Sequence, residues 1–263
     1  MPIGIVPWTL RHQLFNAEQV EFAYKTLGEL GYDGVESFLG GSAGLDKDED
    51  YALMQKYGLR PCSVYCDISK PEEAIATAKK YGVTMLGIPA IPGVMMRRAE
   101  GFYAYAKKIN EMAEPFRGSG IRLQYHNHAQ EFRNFPEENG KTGLEILIEN
   151  TDPELVCFEL DVHWASAAGA DPAEWIRKLK GRIPIVHYKD MGIDYETEEF
   201  GLGEVPRVFL EVGQGNLNWK AIREACIEAG CEWYNVEQDR TKRPVFESVK
   251  ISIDFMRGEL GIV

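Results

Sequence analysis

The stretch that decides the fold is Val156-Cys157-Phe158-Glu159-Leu160-Asp161-Val162-His163-Trp164. It begins as a short apolar run of strand length and ends in acidic and imidazole side chains. Along the whole chain, similar apolar runs alternate with longer segments in which apolar residues recur at helical spacing, as in Val20, Ala23, Tyr24 and Leu27. This alternation predicts repeated βα units around a parallel sheet.

Eight strands are predicted, at residues 3–6, 34–36, 62–65, 85–88, 122–127, 156–160, 185–188 and 233–236. Eight βα units in 263 residues match a TIM-type barrel better than a doubly wound sheet. No linker-like stretch divides the chain, so we expect residues 1–263 to form a single (β/α)8 TIM-barrel catalytic domain of the α/β class. Residues 191–215, with Glu196, Glu198 and Glu199, are expected to form a loop after the seventh strand.

Composition excludes several classes of protein. The chain has 29 Lys and Arg against 41 Asp and Glu, a formal charge of −12, which disfavours binding to nucleic acid. No apolar run approaches the roughly 20 residues that cross a bilayer, and the first residues lack the pattern of a secretion signal, so no membrane association is expected. The five cysteines contain no Cys-x-x-Cys pair. A cytoplasmic location is the simplest expectation.

Polar side chains gather at the predicted ends of strands five to eight. Strand five ends in His126-Asn127-His128, strand six in Glu159-Leu160-Asp161-Val162-His163, strand seven in His187-Tyr188-Lys189-Asp190 and strand eight in Val236-Glu237-Gln238-Asp239. Side chains alternate along a strand, so His126 and His128 face one side, as do Glu159, Asp161 and His163. Four neighbouring strands are thus predicted to deliver imidazoles and carboxylates to one rim of the barrel.

A divalent metal would explain this concentration of acids. A single histidine at a strand end is usually a hydrogen-bonded structural residue, and a single aspartate is usually a cap or turn residue. Several acids buried together without a cation would repel one another and lose hydration. Imidazoles with carboxylates suit Mn²⁺, Zn²⁺, Fe²⁺ or Co²⁺ better than Ca²⁺ or Mg²⁺. The pattern therefore favours a metal site over a metal-free polar cluster.

The strand endings resemble those of the sugar phosphate isomerase/epimerase superfamily. This is the xylose-isomerase-like TIM barrel group, which includes inosose dehydratase, tagatose epimerase and endonuclease IV. The similarity covers nearly the whole chain, and its motifs are Tyr125-His126-Asn127-His128-Ala129-Gln130-Glu131-Phe132, Glu159-Leu160-Asp161-Val162-His163-Trp164, His187-Tyr188-Lys189-Asp190, Val236-Glu237-Gln238-Asp239, Gly31-Tyr32-Asp33-Gly34-Val35-Glu36 and Gly213-Gln214-Gly215-Asn216-Leu217-Asn218-Trp219.

The resemblance implies one divalent metal, held by one side chain from each of strands five to eight. Asp161, His187 and Glu237 match three of the ligands. The fourth is either His126 or Glu131, and Glu131 is preferred because a third carboxylate keeps the charge of the site closer to that of the family. Mn²⁺ is the expected ion, with Zn²⁺, Co²⁺ and Fe²⁺ as alternatives.

The resemblance also implies an isomerase, epimerase, lyase or dehydratase that removes a proton next to the carbonyl of a small keto sugar, cyclitol or 3-keto glycoside. The candidates for catalysis are His128, His126, His163 and Glu237, although His163 could instead orient Asp161. Lys189 could polarise a substrate oxygen, but a pairing with Asp190 is preferred. Trp8 and Trp164 could stack on a sugar ring or simply fill the mouth of the barrel.

Two other functions stay open at this stage. The first is an endonuclease-IV-like metal phosphodiesterase, which the negative charge and the small number of available ligands disfavour. The second is the barrel subunit of a hetero-oligomeric 3-keto-glycoside lyase, which would pair with a small β-rich subunit. Assembly as a homo-oligomer is also possible on this sequence.

Overall fold

Eight parallel strands close into a barrel in the computed structural model, which describes residues 1–37, 43–193 and 206–263. The strands are β1 (Ile3–Ile5), β2 (Gly34–Ser37), β3 (Arg60–Tyr65), β4 (Met85–Gly87), β5 (Arg122–His126), β6 (Val156–Asp161), β7 (Ile185–Tyr188) and β8 (Trp233–Val236). Each strand pairs with the next, and β1 pairs with both β2 and β8. The predicted barrel is confirmed, and each predicted strand boundary lies within two residues of the observed one.

Nine α-helices of the described residues surround the barrel. They are α1 (Ala17–Leu30), α2 (Lys47–Lys56), α3 (Pro71–Tyr81), α4 (Ala99–Ala113), α5 (Gly143–Asn150), α6 (Val162–Ala167), α7 (Pro172–Lys178), α8 (Trp219–Ala229) and α9 (Val245–Gly258). The apolar stripe of α1 is buried at Val20, Ala23, Tyr24 and Leu27, as its spacing predicts. Gly31, with φ of 90°, ends α1 in the left-handed conformation that glycine adopts without strain. No helix in the described part of the chain is long and apolar enough to cross a membrane.

The segment after β7 differs from the predicted loop. Asp190–Ile193 and Arg207–Leu210 pair as an antiparallel ribbon beside the mouth of the barrel. Glu196, Glu198 and Glu199 lie outside the described residues. The sequence did not reveal this ribbon because its two strands are short and far apart along the chain.

Asp190 fastens this region to the start of α8. Its Oδ2 accepts hydrogen bonds from the backbone N–H groups of Gly213 (2.9 Å) and Gly215 (3.0 Å) and from the indole N–H of Trp219 (2.7 Å). Its Oδ1 accepts from the N–H of Met191 at 2.7 Å. The side chain is fully buried. A single carboxylate therefore replaces the water that these donors would otherwise need.

We expect Asp190→Asn to destabilise the protein by about 3 kcal/mol or more, because an amide NH₂ in place of one oxygen would face buried N–H donors. Urea unfolding of the variant measures the loss. The matched control is Asp171→Asn. Asp171 is the N-cap residue of α7, and its Oδ1 accepts a hydrogen bond from the N–H of Ala173. Asparagine caps a helix as well as aspartate does. Equal stability of the two variants would contradict the anchoring role of Asp190.

Candidate functional site

A cavity of about 380 Å³ opens at the carboxyl ends of the barrel strands. Its lining comes from the ends of several strands and from the segments that follow them. The side chains that carry chemistry in this lining are Glu36, His126, His128, His187, Lys189, Glu237 and Asp239. Active sites of TIM barrels are built at this end of the barrel.

His126, Asp161, His187 and Glu237 converge at this cavity, and all but Asp161 belong to its lining. One possible ligand atom from each lies within 4.8 Å of the others. His187 Nδ1 is 3.2 Å from Glu237 Oε2, and the rings of His126 and His187 are 4.7 Å apart between centroids. They come from the ends of β5 to β8, so the predicted convergence of Asp161, His187 and Glu237 is present in the structure.

The two oxygens of Asp161 have different surroundings. Oδ1 accepts a hydrogen bond from the N–H of Trp164 at 3.0 Å, which caps α6. Oδ2 is buried, accepts no hydrogen bond from the described residues and lies 3.3 Å from the Nζ of Lys189. Two imidazoles and two carboxylates are donors that suit Mn²⁺, Zn²⁺, Fe²⁺ or Co²⁺. The residues present therefore fit a divalent metal.

Glu131 is not part of this group, so the preference for Glu131 as the fourth ligand is corrected. Its Oε1 accepts from the hydroxyl of Tyr125 at 2.6 Å, and its Oε2 accepts from the N–H of His128 at 3.0 Å. The chain enters a 3₁₀ turn at Ala129–Phe132, and Glu131 closes the start of that turn instead of reaching back to the cavity. His126, at the end of β5, occupies the place that Glu131 was expected to fill.

Lys189 is a buried cation among carboxylates. Its Nζ lies 3.3 Å from Asp161 Oδ2 and 3.1 Å from Glu237 Oε2, and it also pairs with Asp239. Burial opposes the charged form, but these three carboxylates raise the pKa of Lys189 above its ordinary value. The predicted pairing with Asp190 is wrong, because neighbouring residues of an extended segment point to opposite sides. Asp190 faces Gly213, Gly215 and Trp219 instead.

A deeper layer of carboxylates lies behind the group. Glu159 Oε1 and Glu36 Oε2 are each 3.0 Å from His187 Nε2. Burial and the neighbouring charge of Glu159 raise the pKa of Glu36 to about 7. Burial would raise the pKa of Glu159 as well, but His187 and His126 lower it to about 2. No role for Glu36 was predicted from the sequence, although its place at the end of β2 was a signal that it faces the same rim.

The two remaining histidine candidates lie in different places. His128 lines the cavity, with its ring centroid 4.9 Å from that of His126. Burial, then His126 and Lys189, lower the pKa of His128 to about 4. His163 is outside the cavity lining: it stacks on Phe209 at 4.5 Å, and its Nδ1 is 3.1 Å from the carbonyl oxygen of Asp190. The predicted alternation of side chains does not extend to His163, because α6 begins at Val162, directly after β6.

Two indole rings line the cavity wall. Trp8 is about half exposed, at 54%, and its Nε1 donates a hydrogen bond to Asp239 Oδ1 at 2.9 Å. Trp164 lies against the Nζ of Lys189, 4.9 Å from the ring centroid. Both residues belong to the cavity lining, as does Lys189. Each predicted substrate-binding residue therefore has access to the cavity.

Comparisons with known proteins agree with this architecture. An inosose dehydratase from Lacticaseibacillus casei is 29% identical over 153 residues, which cover 54% of this chain and 49% of that protein. The chain spans about half the length of such curated relatives. A sugar phosphate isomerase/epimerase from Parabacteroides distasonis ATCC 8503 has a TM-score of 0.74 and 23% identity, covering 97% of this chain and 93% of that one.

A further solved structure with the same fold is that of the IOLI protein with a binding zinc atom. Its TM-score is 0.67 at 17% identity, and the superposition covers 98% of this chain and 97% of that one. Residues 25–258 of this chain match the family described as Xylose isomerase-like TIM barrel. The predicted resemblance to this superfamily is thus confirmed, and the chain belongs to the xylose isomerase-like TIM barrel family.

Proposed function

We propose that the chain is a divalent-metal-dependent enzyme that moves a proton next to a carbonyl in an uncharged keto sugar, keto cyclitol or 3-keto glycoside. The observation that carries the proposal is the convergence of His126, Asp161, His187 and Glu237 at a cavity that three of them line. The names of the relatives, inosose dehydratase and sugar phosphate isomerase/epimerase, support the reaction class of isomerase, epimerase or dehydratase.

The charges of the cavity favour a substrate without phosphate. Lys189 is the one Lys or Arg side chain among the described residues of the lining, and three carboxylates already surround it. Glu36 is a further carboxylate in the same lining. A phosphate group would meet these carboxylates without an unpaired Lys or Arg side chain of the described lining to receive it. The indoles of Trp8 and Trp164 offer flat surfaces for the apolar face of a sugar or cyclitol ring.

The metal would be held by His126, Asp161, His187 and Glu237, with Mn²⁺ as the favoured ion and Zn²⁺, Co²⁺ or Fe²⁺ as alternatives. When bound, it would supply the Lewis acidity that makes the C–H beside a carbonyl acidic enough to lose its proton. His128 and Glu237 border the cavity and can accept or return that proton. The ammonium group of Lys189 can donate a hydrogen bond to a substrate oxygen that gains negative charge.

Proton exchange is the direct test of the reaction class. The protein is incubated in D₂O with Mn²⁺ or Zn²⁺ and a panel of unphosphorylated keto sugars, keto cyclitols and 3-keto glycosides, and ¹H NMR follows the signal of the proton beside the carbonyl. We expect that signal to disappear for at least one member of the panel and to persist in the presence of EDTA. A metal-loaded protein that exchanges no proton in any of these compounds would refute the proposal.

Glu237→Gln should slow this exchange by about 10²–10⁴-fold, because the variant loses both a carboxylate ligand and a candidate base. The matched control is Glu232→Gln. Glu232 directly precedes the first residue of β8, and its carboxylate pairs with Arg122 outside the cavity. The control should exchange at the wild-type rate. Rates that fall equally in both variants would show that Glu237 has no special role.

Metal binding should also stabilise the fold. Free Zn²⁺ or Mn²⁺ at about 100 times its Kd should add about 2.7 kcal/mol to the free energy of unfolding. Thermal unfolding of EDTA-treated protein, with and without added metal, measures this as a rise in Tm. Asp161→Asn should lose most of the rise, because Asp161 Oδ2 lies in the ligand group. If the Tm of the wild type does not change when metal is added, the result would argue against the metal site.

A further inference from the structure

Glu159 contacts both histidines of the ligand group. Its Oε2 is 3.1 Å from His126 Nδ1, and its Oε1 is 3.0 Å from His187 Nε2. The amide of Gln124 donates to Oε1 at 2.9 Å, and the carboxylate is fully buried. The carboxylate of Glu159, on β6, therefore contacts two imidazoles that come from β5 and β7, the strands on either side of it.

Glu36 repeats the arrangement for one of the two rings. Its Oε2 lies 3.0 Å from His187 Nε2 and accepts a hydrogen bond from Asn235 Nδ2 at 3.0 Å. Nε2 of His187 thus faces two buried carboxylates, Glu36 and Glu159. Nδ1 of the same ring faces Glu237 Oε2, at 3.2 Å.

A ring nitrogen that donates its proton to a carboxylate leaves the other nitrogen with a lone pair. The contacts of Glu159 therefore leave Nε2 of His126 and Nδ1 of His187 as the nitrogens that can bind a cation. We propose that Glu159 is a positioning residue that selects these two nitrogens and holds both rings toward Asp161 and Glu237. This inference rests on the proposed metal site and adds the orientation of its two imidazoles.

The structure also offers a rival placement that uses the opposite nitrogen. Possible ligand atoms of Glu36, Glu159 and His187 form a second group within 4.8 Å of one another. A cation bound in that group would sit on Nε2 of His187, the nitrogen that faces Glu36 and Glu159. The identity of the bound nitrogen of His187 therefore distinguishes a positioning role for Glu159 from a role as ligand.

The first test uses the wild-type protein loaded with Zn²⁺, which is diamagnetic, and labelled with ¹⁵N-histidine. Long-range ¹H–¹⁵N correlation spectra show which nitrogen of each ring carries a proton and which carries the metal. We expect zinc on Nδ1 of His187 and Nε2 of His126, with protons on the nitrogens that face Glu159. Zinc on Nε2 of His187 would overturn the inference.

The second test measures Zn²⁺ affinity by competition with a chromophoric chelator. Glu159→Gln should weaken binding by about 10–100-fold, the usual effect of losing a carboxylate that orients a ligand histidine. Glu36→Gln should weaken binding less, because Glu36 contacts only one of the two ligand histidines. The matched control is Glu131→Gln, because Glu131 is equally buried on the β5 side but bonds Tyr125 and the backbone of His128.

These outcomes separate the two proposals. Absence of Zn²⁺ binding by the wild type would overturn the proposed metal site itself. Wild-type binding together with equal affinities of Glu159→Gln and Glu131→Gln would overturn the positioning role alone. Complete loss of binding by a folded Glu159→Gln protein would make Glu159 a ligand and would also overturn that role. Should Glu159→Gln fail to fold, the spectra of the wild type still decide.

Discussion

Carboxylates buried in a protein must meet positive or hydrogen-bonding partners, because the loss of hydration is otherwise too costly. The mouth of this barrel depends on that constraint more than on any other. Its four central acids share three basic side chains, and His187 alone contacts three of the acids. The acids are Glu36, Glu159, Asp161 and Glu237, and the bases are His126, His187 and Lys189. Removing one member leaves its neighbours with unbalanced charge, so the group acts as a unit.

The barrel itself was predictable because hydrophobic periodicity determines where strands and helices form. The eight strands required only local patterns, and parallel closure then places all carboxyl ends on one rim. The convergence of Asp161, His187 and Glu237 follows from these two facts. Predicting this convergence required no knowledge of the distances between the three residues, since each lies at the end of its own strand.

Two of the errors arise where the chain leaves the extended conformation directly after a strand, so that the alternation of side chains no longer applies. His163 leaves the rim because a helix begins one residue after Asp161. Glu131 leaves it because a 3₁₀ turn starts at Ala129. Glu159 and Glu36 were visible in the sequence, but their role depends on which nitrogen of a ring they touch. Such a contact is a matter of side-chain packing across the barrel, which no local pattern encodes.

Lys189 and Asp190 are consecutive, yet one faces the cavity and the other holds the segment that leads into α8. The ammonium group is therefore held in place by an anchor on the far side of its own backbone. Loss of that anchor would therefore displace the ammonium group, although Asp190 itself does not line the cavity.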